Sequence, residues 1–172
     1  MRPLVPLPSF PAAAARAASL CAAAFLVAGL AIAPAAQAGF YEGLVAAQNE
    51  DWETALTEWL PIAEAGNPGA QSGLGDMYAR GLGVEQNQAE AMRWHFLAAR
   101  QGVGKSAFFI GLALAAGNGI AKDVVQGAAW LLIADRLGQL EAREAYSFVR
   151  VSLSAAQEAE ARAIADGWEP AG

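Results

Sequence analysis

From Tyr41 onward, apolar and small residues return at helical spacing in blocks bracketed by glycine, asparagine and aspartate, the pattern of successive amphipathic helices. It predicts helices over Tyr41 to Gln48, Trp52 to Ala65, Gly69 to Ala79, Gln88 to Gln101, Ser106 to Ala116, Val124 to Leu137, Leu140 to Val151 and Ala155 to Ala165. Asp51, Asn87 and Asp123 each precede the second helix of a pair, where a short side-chain acceptor caps free backbone N–H groups. Glu90 and Gln126, three residues later, are expected to complete capping boxes, and Ser154 with Gln157 repeats the arrangement. Gly81 and Gly117 fall where a first helix must end, a position that favours a left-handed residue. The last helix reads as a cap over the open end of the stack, with Ala155, Ala159 and Ile164 as its apolar face and Trp168 closing it.

The blocks are copies of one another. A shift of 36 positions lays Gly75 on Gly111, Gly81 on Gly117, Gly83 on Gly119, Val84 on Ile120, Asn87 on Asp123, Trp94 on Trp130 and Gly102 on Gly138. A weaker, earlier copy runs through Asp51, Ala55 and Trp59, with Trp59 taking the Trp94 position one residue late and the glycine-rich turn missing. A period in the thirties signals helical hairpins that bury their apolar faces only by stacking on neighbours. The expected fold is all-α, a short α-solenoid of stacked antiparallel helix pairs with repeats of about 36 residues. Its units fall at 39–66, 69–102 and 106–138, followed by capping helices over 140–168.

The paired glycines Gly81 and Gly83 invite comparison with a phosphate-binding loop. They follow a helix rather than a strand and lack the Lys-Ser/Thr of a nucleotide loop, so they read as a helix-to-helix turn.

Within AQSGLGDMYARGLGVEQNQAEAMRWHFLAARQG, Ala70, Leu74, Gly75, Tyr78, Gly81, Gly83, Val84, Ala91, Trp94, Ala98, Ala99 and Gly102 stand at the positions of the Sel-one-like repeat, a relative of the tetratricopeptide repeat. The chain resembles that family over about Asp51 to Gly138. Asn87 departs from its aspartate but caps in the same way. The next copy has drifted, with Leu114 for tyrosine, Gly127 for the inner alanine and Asp135 for the second paired alanine. The resemblance implies a protein-binding scaffold of bacterial envelopes or signalling assemblies, without naming the partner. Bottom-up, the small residues let helices approach closely, and one tryptophan per unit fills the wedge between hairpins.

The N-terminus is of another kind. Arg2 and Arg16 are the only charges before Glu42, the stretch from Ala17 to Ala33 is uncharged, Pro34 is expected to break any helix, and Ala36-Gln37-Ala38 suits a signal peptidase. Residues 1–38 therefore read as a signal peptide and Gly39 as the mature start, which implies a periplasmic or secreted protein. An uncleaved membrane anchor is the rival, disfavoured because alanine contributes little hydrophobicity. Lipidation at Cys21 is disfavoured by the bulk of Leu20 before it. Cys21 is the only cysteine, so the mature domain of 39–172 holds together without disulfides. Nine basic against seventeen acidic residues leave that domain a net charge of −8, which argues against nucleic acid and anionic lipid as partners.

Candidate chemistry is sparse. His95, the sole histidine, reads as a partly exposed helix residue, with no cysteine or second histidine to complete a metal set, so no metal or cofactor is expected. Some proteins of the resembled family are linked to β-lactams, but neither a serine followed three residues later by lysine nor Lys-Thr-Gly occurs. The expected function is that of an exported, non-catalytic scaffold binding another envelope protein or peptide. The alternatives are a cell-wall or β-lactam-related enzyme and a passive chaperone-like module. One anomaly bears on binding: Ser72, Gly73 and Asp76 become Phe108, Phe109 and Leu112 one repeat later, while His95 and Phe96 become Leu131 and Leu132. Either that hairpin is central and doubly covered, or Phe108, Phe109 and Leu112, with Met77 nearby, line a groove for an apolar helix or extended peptide.

Overall fold

The computed structural model describes residues 32–171, with side chains from Gln37 onward, so most of the expected signal peptide lies outside the described residues. Eight helices make up this part: α1 Ile32–Gln48, α2 Trp52–Glu64, α3 Pro68–Arg80, α4 Gln88–Arg100, α5 Gly104–Ala116, α6 Val124–Arg136, α7 Glu141–Arg150 and α8 Ala155–Asp166, with no strand among the described residues. α1 packs on α2, α3 on α4 and α5 on α6, and each second helix also packs on the first helix of the next pair. The all-α solenoid expected from the repeat is therefore the architecture observed. α7 and α8 both lie against α6 and close the C-terminal end.

The caps form largely as the sequence dictates. The side chains of Asp51, Asn87 and Asp123 accept from Thr54, Glu90 and Gln126 N–H, and Gly81 and Gly117 end α3 and α5 at φ 69° and 86°. Of the three expected capping boxes only Ser154 with Gln157 is reciprocal. The reason lies in the stacking: the N–H groups of Asn87 and Asp123 already donate to the carbonyls of Tyr78 and Leu114, at 2.9 Å each. No donor is left for a returning side chain, and Glu90 turns to Arg93 instead. Pro34 lies within α1 and does not end it; the uncharged stretch that it is expected to terminate lies almost wholly outside the described residues.

Two further expectations are corrected by packing. Trp59 occupies the position of His95, 36 residues on, rather than that of Trp94: glycines of the preceding helix, Gly43 and Gly75, abut the Trp59 and His95 rings respectively. The first unit thus keeps the packing glycine and has a shorter turn, Asn49 to Asp51, in which Glu50 takes the left-handed conformation at φ 60°. The inner face of α8 is Ala161, Ala165 and the following Trp168, with Ile164 half-buried, whereas Ala155 and Ala159 are exposed.

The interior divides along the stack. Trp59, Leu74, Met77 and Trp94 form the first core, and Met92, Phe96, Ile110, Leu114, Trp130, Ile133 and Trp168 the second. A third, under α7 and α8, holds Val125, Leu131, Tyr146 and Ala161. Polar latches tie successive units: Gln101 donates to Gly66 O at 3.0 Å and Gln71 Oε1 at 2.8 Å, and Gln71 donates to Ala63 O at 3.0 Å. At the far end the Ala171 N–H reaches back to Arg100 O at 2.7 Å, which seats Trp168 against Trp130 with ring centroids 6.1 Å apart.

Candidate functional site

Successive first helices touch one another, α3 with α5 and α5 with α7, and so share a face. Asp76 and Leu112 are equivalent in the two repeats, and a further 36 positions on, beyond the repeats, stands Phe148 of α7. Asp76 is half-buried and pairs with Lys105 of α5. Leu112 is 41% exposed and Phe148 is 71% exposed, an apolar step on two adjoining helices where the preceding unit has a charge.

The four residues singled out from sequence fall at different depths. Met77 is enclosed in the first core, Phe108 is half-buried between the second and third, and Phe109 is half-buried with its ring 4.1 Å from that of His95. Leu112 alone of the four is exposed. Leu131 is buried and Leu132 half-buried, so most of the apolar excess of this hairpin is covered by its neighbours.

His95 is not the partly exposed residue expected; it is completely buried. Its Nδ1 lies 3.1 Å from Ser106 Oγ, whose hydroxyl donates to Ser72 Oγ at 3.1 Å, and its Nε2 faces Asp76 Oδ1 at 3.8 Å. One polar chain thus crosses α3, α4 and α5 where the first two units with full repeat patterns meet. The sequence carried a signal for this, because the residues 36 positions before and after His95, Trp59 and Leu131, are plainly core types.

Burial lowers the His95 pKa to about 4; Asp76 opposes the shift and Lys105 adds to it. The unfolded chain therefore binds a proton near pH 6.5 that the folded protein refuses until about pH 4. Stability from the neutral ring is complete above the unfolded value and is lost as pH falls through this window. Urea titrations should show a loss of about 2 kcal/mol between pH 7 and pH 5 attributable to this group. His95→Leu, which copies the next repeat, should remove that part of the slope; an unchanged slope would refute the assignment.

Asp76, His95 and Ser106 follow the order of a hydrolase relay, yet the Ser106 hydroxyl is completely buried and already engaged by His95 and Ser72. It cannot meet a substrate without separation of α3, α4 and α5. Among the described residues no group of histidine, cysteine, aspartate and glutamate has the arrangement of a metal site, and no helix is long and apolar enough to cross a membrane.

A Sel1 repeat family model matches residues 68–103 and 104–138. No curated protein matches the chain. Among solved structures, a protective antigen present in uropathogenic Escherichia coli strains and displaying an SLR fold is similar at 25% identity and a TM-score of 0.71, over 76% of this chain and 29% of that one. A Sel1 repeat protein from Oxalobacter formigenes is similar at 30% identity and a TM-score of 0.61, over 66% of this chain and 45% of that one. The chain spans less than half the length of either.

Proposed function

We propose, from the premise that this chain is a Sel1-repeat helical protein and that such repeats generally act as protein-interaction scaffolds, that it is exported and docks another protein in the cell envelope without catalysing a reaction. The observation that carries the reading is the exposure of two large apolar side chains, Leu112 on α5 and Phe148 on the adjoining α7. Apolar anchors in that setting cost little stability and contribute most where a partner covers them. Leu112→Ser with Phe148→Ser should melt within a few degrees of the parent yet lose most of a partner cross-linked in the cell. Retention of the partner would remove this face from the account. Phe109 belongs to a different category: its ring covers His95, so Phe109→Ser should destabilise the protein as well.

Export rests on the N-terminal pattern of Arg2, Arg16, the uncharged stretch to Ala33 and the small residues Ala36 and Ala38. Intact-mass analysis of the exported form should place Gly39 at the N-terminus, and a mass that includes the uncharged stretch would favour an anchored protein. A second reading, a β-lactam-related or cell-wall hydrolase, draws on the Asp76, His95 and Ser106 order. It predicts turnover of a chromogenic β-lactam or of peptidoglycan that Ser106→Ala abolishes. The scaffold reading predicts no turnover from either protein, since the hydroxyl is enclosed.

A further inference from the structure

Among the described residues, the first helix of the stack leaves a stacking face open. Gly43 and Gly75 play the same part toward Trp59 and His95, which sets α1 in register with α3 at a spacing of 32 residues, the shorter first turn accounting for the difference from 36. In this register Glu42 takes the place of Leu74, Val45 that of Met77 and Tyr41 that of Gly73. Leu74 and Met77 are fully buried, in one cluster with Ala46, Ala55, Trp59 and Ala63 of the unit before them. Among the described residues no helix pair precedes α1, and the equivalent surface faces solvent: Tyr41 is 63% exposed, Val45 56%, and Glu42 lies between them in sequence, also exposed. Tyr41 meets Phe40 edge-on at 5.7 Å, and Phe40 stacks on Trp59, so the exposed pair continues the first core outward.

The charge of the unit that carries this face is one-sided. Residues 39–66 hold Glu42, Glu50, Asp51, Glu53, Glu58 and Glu64 and no lysine or arginine at all. All but Glu58 are exposed, and the Glu58 carboxylate lies over α1, 3.3 Å from where a Cβ on Gly39 would stand. Asp51, which caps α2, is held below the usual carboxylate range by its hydrogen bonds from Thr54 and stays ionised. A second copy of the chain presenting the same face would bring two such acidic units together without a counter-charge, which costs rather than gains. The complementary surface is apolar at its centre and cationic at its rim.

Resting on the scaffold reading, we infer that the open face of α1 docks a cationic amphipathic helix of another protein, its apolar side chains covering Tyr41 and Val45 and its lysines or arginines meeting Glu42 and the neighbouring carboxylates. The site extends the stack by one foreign helix, and it is separate from the face that carries Leu112 and Phe148.

The test uses a leucine–lysine amphipathic helical peptide and its leucine–glutamate counterpart against the protein in the form the cell accumulates, at about 0.15 M salt so that unspecific attraction is screened. The lysine peptide should bind at one per chain and the glutamate peptide not at all. Tyr41→Ser with Val45→Ser should weaken binding about tenfold or more, with melting unchanged because both side chains are exposed. Glu42→Gln should flatten the salt dependence, while Leu112→Ser with Phe148→Ser should leave affinity as it was. An affinity indifferent to the α1 substitutions overturns the inference, whether binding then follows Leu112 and Phe148 or charge alone, and so does self-association through Tyr41 and Val45. None of these results touches the scaffold reading, which stands or falls on a partner captured at Leu112.

Discussion

Trp130→Ala should cost the fold about 3–5 kcal/mol, the range for removing a large buried aromatic. Its ring is enclosed in the second core, edge-on to Phe96 at 5.7 Å and to Trp168 at 6.1 Å. Those contacts join α4, α6 and the tail beyond α8, so one truncation loosens three elements at once. The indole Nε1 has no hydrogen-bond partner among the described residues, which makes the shape of the ring rather than its polarity the stabilising feature. Trp130→Phe should therefore recover more than half of the loss. A cycle with Trp168→Ala should show coupling of about 1 kcal/mol beyond simple addition. Urea unfolding of the parent, the three single variants and the double alanine variant measures all three quantities, and independent effects of Trp130 and Trp168 would contradict the tail's role as a clasp.

Gly127→Val should destabilise by about 3 kcal/mol, the upper end for overpacking, although valine forms helix slightly better than glycine. From sequence this glycine passes for drift from the inner alanine kept at Ala55 and Ala91. In the fold a Cβ here would stand 2.7 Å from Ala115 N and 2.8 Å from Gly111 O. Both neighbours are backbone, so no rotamer change relieves the clash and α5 must move away from α6. Ala91→Gly, the reverse change one unit earlier, should cost only about 1 kcal/mol, the helix-propensity difference. If Gly127→Val unfolded at the same urea concentration as the parent, the close approach of α5 and α6 would be in error.

The repeat arithmetic carried most of the architecture because the structure is nearly one-dimensional: each unit meets only its neighbours, so local pattern and global fold coincide. Gly81, Gly117 and the capping residues before α2, α4 and α6 are legible for that reason. What escaped reading are the contacts that pattern does not encode. The capping boxes at Asn87 and Asp123 are pre-empted by carbonyls of the preceding helix, a tertiary fact. His95 looks like a surface residue from its polarity, and only its register with Trp59 and Leu131 reveals a buried position. Trp59 aligns one residue past the Trp94 position in sequence, and only the glycine that marks its register shows otherwise, displaced to Gly43 by the shorter first turn. At the candidate site, sequence grouped Met77, Phe108, Phe109 and Leu112 as apolar, but depth separates them. Phe148 lies beyond the repeats that define the pattern, and only the packing of α7 beside α5 brings its helix next to that of Leu112.

The most direct test of the scaffold account is site-specific photo-cross-linking in the living cell, with a photoreactive aromatic residue in place of Leu112 and, as a reference, in place of the exposed Glu85 in the α3–α4 turn. The account predicts a discrete protein adduct from the Leu112 position, absent from the Glu85 position and lost when Phe148→Ser is added. Irradiation that leaves the chain alone at Leu112, or yields the same adducts from both positions, would contradict it.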